Sequence, residues 1–154
     1  MVDPRDPEYG RFPLRSWLGF DLVATGDEVM AVLDVDERHL NPNGVVHGGV
    51  VFALVDTAMG SATMRVIDEG CLCASIEIHL RYLRPAGLGR LRAHTRVLRR
   101  GRRVVHLESR VTLVDPGADG GGPVDDRGAE IALATGSFAV LTSPPRGVSE
   151  TGGR

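Results

Sequence analysis

Between His39 and Thr63 the chain reads HLNPNGVVHGGVVFALVDTAMGSAT, a polar, glycine-punctuated turn running into an apolar segment whose single acid is Asp56. From Gly48 to Met64 every other residue is apolar, Gly, Ser or Thr, so a helix here is expected to be apolar on nearly all faces and therefore buried. Burying an unpaired carboxylate is costly. Asp56 is therefore expected to be paired, hydrogen-bonded or catalytic, the last as a general base or a nucleophile.

The elements that must position this acid follow from periodicity and breakers. Gly19 to Ala24 and Glu28 to Val35 read as a hairpin around Thr25-Gly26-Asp27. The turn at Asn41 to Gly44 leads into a helix from about Gly48 to about Val66, which Asp68-Glu69-Gly70 ends. Four strands follow, Cys73 to Leu83, Gly89 to Arg99, Arg103 to Val114 and Ala129 to Leu141. The acidic, Gly-rich stretch from Asp115 to Gly128 is expected to be a mobile insertion, and the tail from Ser143 onward to be disordered. The organisation is thus an arm over 1–16, one domain over 17–142 and a tail over 143–154. A long apolar helix wrapped by a curved antiparallel sheet of five to six strands is an α+β arrangement. Pairing its open edges across a two-fold axis predicts a dimer.

The 154 residues suit a single domain of ordinary globular composition. No unbroken apolar run reaches the ~18 residues that span a bilayer, and the N-terminus lacks the order of a signal peptide, so no membrane and a cytoplasmic location are expected. Cys71 and Cys73 are too few and too close for a disulfide framework, and no metal site is expected. All eighteen basic residues are Arg, nine of them between Arg81 and Arg103, a window free of Asp and Glu. Lysine Schiff-base chemistry is thereby excluded, and guanidinium forks suit phosphates. The competing explanation is a solvated strand face whose arginines pair with acids elsewhere.

Asn41, Gly44, His47-Gly48-Gly49, the apolar Val50 to Val55 and Asp56 together resemble the hotdog-fold acyl-CoA thioesterases of the phenylacetate-pathway type. The run ASIEIHLRYLRPAGLG, Ala74 to Gly89, is similar to that family's strand after the central helix, with Ser75 at its functional serine position. The pattern of hotdog hydratases, Asp and His close together ahead of an Asn-Pro, is not reproduced. The resemblance implies a hotdog fold and an active site shared between subunits, and it leaves homodimer and homotetramer both open.

Thioester hydrolysis needs donors for a developing oxyanion and a carboxylate that activates water or attacks directly. Gly48 and Gly49 open the helix, so their N–H groups, backed by the helix dipole, are expected to form the oxyanion hole, and Asp56 to be the carboxylate. Eight residues at 1.5 Å rise separate Gly48 from Asp56 by roughly 12 Å, too far to clasp one carbonyl. If both act, Gly48 of one subunit must meet Asp56 of another. His47 is a candidate for orienting the Gly48 loop or touching the thioester, and Asn41 for placing water or the thioester oxygen, although an Asn before Pro42 is equally a turn former. Ser75 is a candidate for orienting Asp56, yet strand alternation sets it with Glu77, His79 and Arg81, opposite Ala74, Ile76 and Ile78, unless a bulge re-aims it.

Coenzyme A, as part of the substrate, brings phosphates, for which Arg102 and Arg103 beside Gly101 are the first candidates and Arg81 and Arg84 the next. No separate cofactor is expected. Nucleic acid is disfavoured by net acidity and few aromatics. The expected function is hydrolysis of an acyl-CoA to a carboxylic acid and free CoA, with an acyl pocket lined by Met59, Gly60, Thr63 and the partner subunit. The alternatives are a hotdog module that binds acyl-CoA without hydrolysis and an enoyl-thioester hydratase.

Overall fold

A computed structural model describes residues 11–26, 28–114 and 128–142. The expectations for the 115–127 loop, the tail from Ser143 and most of the N-terminal arm lie outside those residues. The order of elements is α1 (Pro13–Leu18), β1 (Asp21–Thr25), β2 (Glu28–Asp34), a 3₁₀ turn (Glu37–His39), α2 (Gly48–Val66), β3 (Leu72–Tyr82), β4 (Arg90–Arg100), β5 (Val104–Val114) and β6 (Ala129–Leu141). All six strands form one antiparallel sheet in the order β1-β2-β4-β5-β6-β3, packed on α2. This is the hotdog arrangement, α+β as expected.

Alternation builds the core. Val29, Ala31 and Leu33 of β2, Leu91 and Ala93 of β4, and Val105, Leu107 and Val111 of β5 point at the helix and are buried. They meet Val51, Leu54, Val55, Ala58 and Ala62, spaced three and four apart along α2. Gly136 of β6 lets the sheet approach closely: a Cβ there would stand 2.7 Å from Met59 Sδ.

The structure corrects the picture of a helix buried all round. The sheet is a single layer and covers one side of α2, so a strip through Gly49, Phe52, Ala53, Asp56 and Gly60 stays partly or fully exposed, Phe52 at 42%. With 19 residues and a mean hydropathy of 1.2, α2 is long and apolar enough by composition to cross a membrane, although Asp56 and Arg65 interrupt its apolar run. Half of it is buried in the fold, as in a core helix. Met59 and Thr63, expected to line an acyl pocket, instead face inward with no exposure, the Thr63 hydroxyl donating to the Met59 carbonyl at 2.8 Å. Of those three residues only Gly60 lies at the open side.

Candidate active site

The loop before α2 is closed on itself. Leu40 bridges Val46, the His47 N–H donates to the His39 carbonyl at 2.8 Å, and Asn41 N–H donates to the Val45 carbonyl. Within it the Asn41 Oδ1 accepts from Asn43 N–H at 2.8 Å, and Gly44 takes the left-handed conformation (φ 74) that completes the turn. The Asn41 carbonyl oxygen is therefore committed to shaping the loop. His39 was not anticipated. Its ring is fully buried, Nδ1 accepting from Asp36 N–H at 2.9 Å and Nε2 bonded to the Leu18 carbonyl at 2.8 Å, which ties the loop base to α1.

At the helix start the oxyanion-hole expectation is narrowed to one donor. Gly49 N–H donates to His47 Nδ1 at 2.9 Å, so His47 is the N-cap and Gly49 is not free. Gly48 N–H has no acceptor among the described residues. It is left at the positive end of the helix dipole. The Gly48 carbonyl accepts from the Tyr82 hydroxyl at 2.7 Å. Burial pushes the Tyr82 phenol above its ordinary range, which keeps it a donor.

Eight residues along α2, Asp56 lies on the uncovered strip, half-buried. Burial pushes its carboxyl above the ordinary Asp range, and the neighbouring Ser75 hydroxyl partly offsets that rise. Ser75 reaches Asp56 because β3 breaks alternation: it pairs Ser75 with Phe138 but Glu77 with Ser137, leaving Ile76 as an extra residue, 58% exposed. Upstream of this bulge Cys73 and Ser75 face α2, and downstream Ile78, Leu80 and Tyr82 do, whereas plain alternation would set Ser75 and Tyr82 on opposite faces. The bulge is what turns Ser75 toward Asp56. Cys73 donates to the Gly60 carbonyl at 3.7 Å, and burial together with the Asp56 carboxylate pushes its thiol up to about 11.

The arginine candidates are not brought together within one chain. Arg102 and Gly101 line a hollow of about 360 Å³ beyond the C-terminal end of α2, beside Ile67 and Asp68, and Arg103 is exposed at the same hairpin tip. Arg81 points from the outer sheet face into a hollow of about 770 Å³, remote from Asp56. Arg84 shares a hollow with Gly48, one of about 400 Å³ that Tyr82 also lines. Several other arginines pair with acids: Arg90 with Asp34 at 2.6 Å, Arg96 with Glu108 at 2.6 Å, and Arg100 with Asp68. For these, the solvated, paired strand face is the correct description. No cluster of metal-ligating side chains occurs among the described residues.

The thioesterase superfamily model matches residues 43–118, which contain the loop from Asn43 onward, α2 and β3 to β5. A Halobacterium salinarum protein provisionally named an esterase is 37% identical over 134 residues, 83% of this chain and 84% of its own length. Acyl-coenzyme A thioesterase 13 of the mouse is 30% identical over 79 residues, 46% of this chain and 56% of that protein, so the match spans little more than half of the mouse enzyme. A conserved protein of Pseudomonas aeruginosa superposes with a TM-score of 0.73 at 26% identity, covering 88% of this chain and 98% of that one. With its loop, helix and serine-bearing strand in that family's order, the chain belongs to the thioesterase superfamily as a hotdog-fold thioester hydrolase.

Proposed function

We propose that this protein is an acyl-CoA thioesterase whose active sites are completed between two copies, Asp56 of one facing Gly48 of the other. The observation that carries the reading is the uncovered strip of α2. It holds a half-buried carboxylate with a raised pKa beside Ser75, roughly 12 Å along the same helix from a backbone N–H with no partner among the described residues. The exposed β3 edge beside that strip gives a second copy a place to pair.

In the reaction the thioester carbonyl oxygen accepts from Gly48 N–H, which with the helix dipole stabilises charge that grows as the carbonyl carbon becomes tetrahedral. Asp56, held by Ser75, takes a proton from water as the water oxygen attacks. The C–S bond then breaks, the coenzyme A thiolate leaves, and the proton returns to it. A direct attack by Asp56 would form a mixed anhydride that water opens at one of its two carbonyls; in a single turnover in ¹⁸O water, label found in Asp56 identifies the anhydride route, opened at the Asp56 carboxyl carbon. Coenzyme A enters as part of the substrate and the chemistry calls for no further cofactor. Arg84, beside Gly48, is the nearest candidate for its phosphates. The mouse relative's name supports the acyl-CoA class.

Subunit mixing tests the shared site. Asp56→Asn and Gly48→Pro, the second removing the N–H at a first-turn position whose backbone suits proline but whose ring must displace the Tyr82 phenol, are each expected to be inactive. Unfolding and refolding them together makes heterodimers with one intact site of two, restoring about a quarter of native activity on random pairing. No recovery in correctly folded mixed dimers would place both groups in one chain and sink the shared site.

A further inference from the structure

We infer that Tyr82 is a positioning residue for the carbonyl-binding N–H of Gly48. The inference rests on the reading of Gly48 as the donor to the thioester. The peptide that links Gly48 to Gly49 is held at both ends: its oxygen accepts from the Tyr82 hydroxyl at 2.7 Å, and its N–H donates to His47 Nδ1 at 2.9 Å. With that plane clamped, the first turn of α2 cannot rotate freely. The preceding Gly48 N–H therefore keeps one direction, as a preorganised donor requires.

The packing carries the same message. A Cβ on Gly48 would stand 2.9 Å from the Tyr82 hydroxyl oxygen and 3.1 Å from its Cζ, so the phenol rests directly on the glycine and leaves no room for a side chain. Both ends of the machinery hang from one strand. Ser75 steadies Asp56 and Tyr82 steadies Gly48, and the extra residue Ile76 turns both toward α2. Sequence alternation hides this pairing, because seven residues of regular strand would put the two on opposite faces.

The clamp is made before substrate binds, but its benefit appears when charge develops on the carbonyl oxygen. Tyr82→Phe keeps the ring and removes only the hydroxyl. Steady-state thioester hydrolysis is expected to show kcat lowered about tenfold with KM within about twofold of native and an unchanged melting temperature, since a loosened donor forfeits part of the 10²–10³ that a lost one costs. Amide hydrogen exchange gives a readout independent of turnover: Gly49 N–H should exchange several-fold faster in the variant while the centre of α2 is unaltered. Native kcat in the variant, a kcat loss that merely follows a loss of melting temperature, or unchanged exchange at Gly49 would each overturn the inference. A native protein that hydrolyses no acyl-CoA would defeat the proposed function instead, and the exchange comparison would still judge the clamp.

Discussion

Replacing Ser75 by Ala tests the bulge in β3 and the role of Asp56 together. In the structure Ser75 faces α2 and lowers a carboxyl pKa that burial has raised. Removing the hydroxyl should therefore lift the Asp56 pKa further, and the acid limb of the kcat/KM profile should move to higher pH, since the base must be ionised to act. Hydrogen bonds to charged groups contribute about 1.5–3 kcal/mol, and the half-exposed carboxylate argues for the lower end. About 1.5 kcal/mol at the transition state is close to a tenfold loss in the plateau rate. Chromatographic quantitation of free CoA between pH 4 and 9 reads both effects without relying on thiol reagents. Ala74→Ser in the Ser75→Ala background provides the control: Ala74 faces away from the helix, so a serine there should restore nothing. A Ser75→Ala protein with native limb and plateau would mean that β3 follows plain alternation and that Ser75 points outward, refuting the argument.

Asp56→Asn should raise the melting temperature at neutral pH while abolishing turnover, because a folded-state pKa raised above the ordinary ~3.9 means that ionised Asp56 costs stability; the gain should shrink as pH falls through the raised value toward and below 3.9, as calorimetry across pH would record. Cys73, with its thiol pushed up to about 11, is ionised in only about one molecule in 10⁴ at pH 7, so iodoacetamide should leave it unmodified in the native protein and mark it after unfolding, which peptide mass mapping would reveal. Gly136→Ala should destabilise by about 1–3 kcal/mol in urea unfolding, because its Cβ would meet Met59 Sδ at 2.7 Å and the Glu77 carbonyl oxygen at 3.2 Å; an unchanged midpoint would show that the helix–sheet spacing has slack.

Much of this architecture is legible in the chain because local signals agree with the global fold. The helix is expected from Gly48 to about Val66 and runs over those residues, since His47 can cap it, the run from Gly48 to Met64 is apolar almost throughout, and Asp68-Glu69-Gly70 cannot extend it. The four strands after it fall within a residue of their expected ends, each being bounded by Gly or Pro breakers. Asp56 stands out as an acid in apolar surroundings, and its raised pKa is the physical counterpart of that oddity.

What escaped depends on partners distant in sequence. Composition gives the apolarity of α2 but not which side the sheet covers, so the open strip through Phe52 and Asp56 becomes visible only in three dimensions. The helix start suggests two free glycine N–H groups, yet His47 turns back on Gly49, a local choice of rotamer that spacing does not encode. Alternation sets Ser75 away from the helix, because the extra residue, Ile76, carries no composition signal of a bulge. The arginine run is read correctly as basic, but a strand sends successive side chains to opposite faces and a hairpin carries its tip away. Arg81, Arg84 and Arg102 thus end in three different places.

The central claim, that Asp56 is the carboxylate of an acyl-CoA hydrolase, is tested most directly by CoA release from a panel of aromatic and aliphatic acyl-CoAs, comparing the native protein with Asp56→Asn at equal folded concentration. The account predicts release by the native protein and a loss of about 100-fold or more in the variant. Equal rates in both would remove Asp56 from the mechanism. Binding of acyl-CoA with no release by the native protein would identify a binding module and contradict the account.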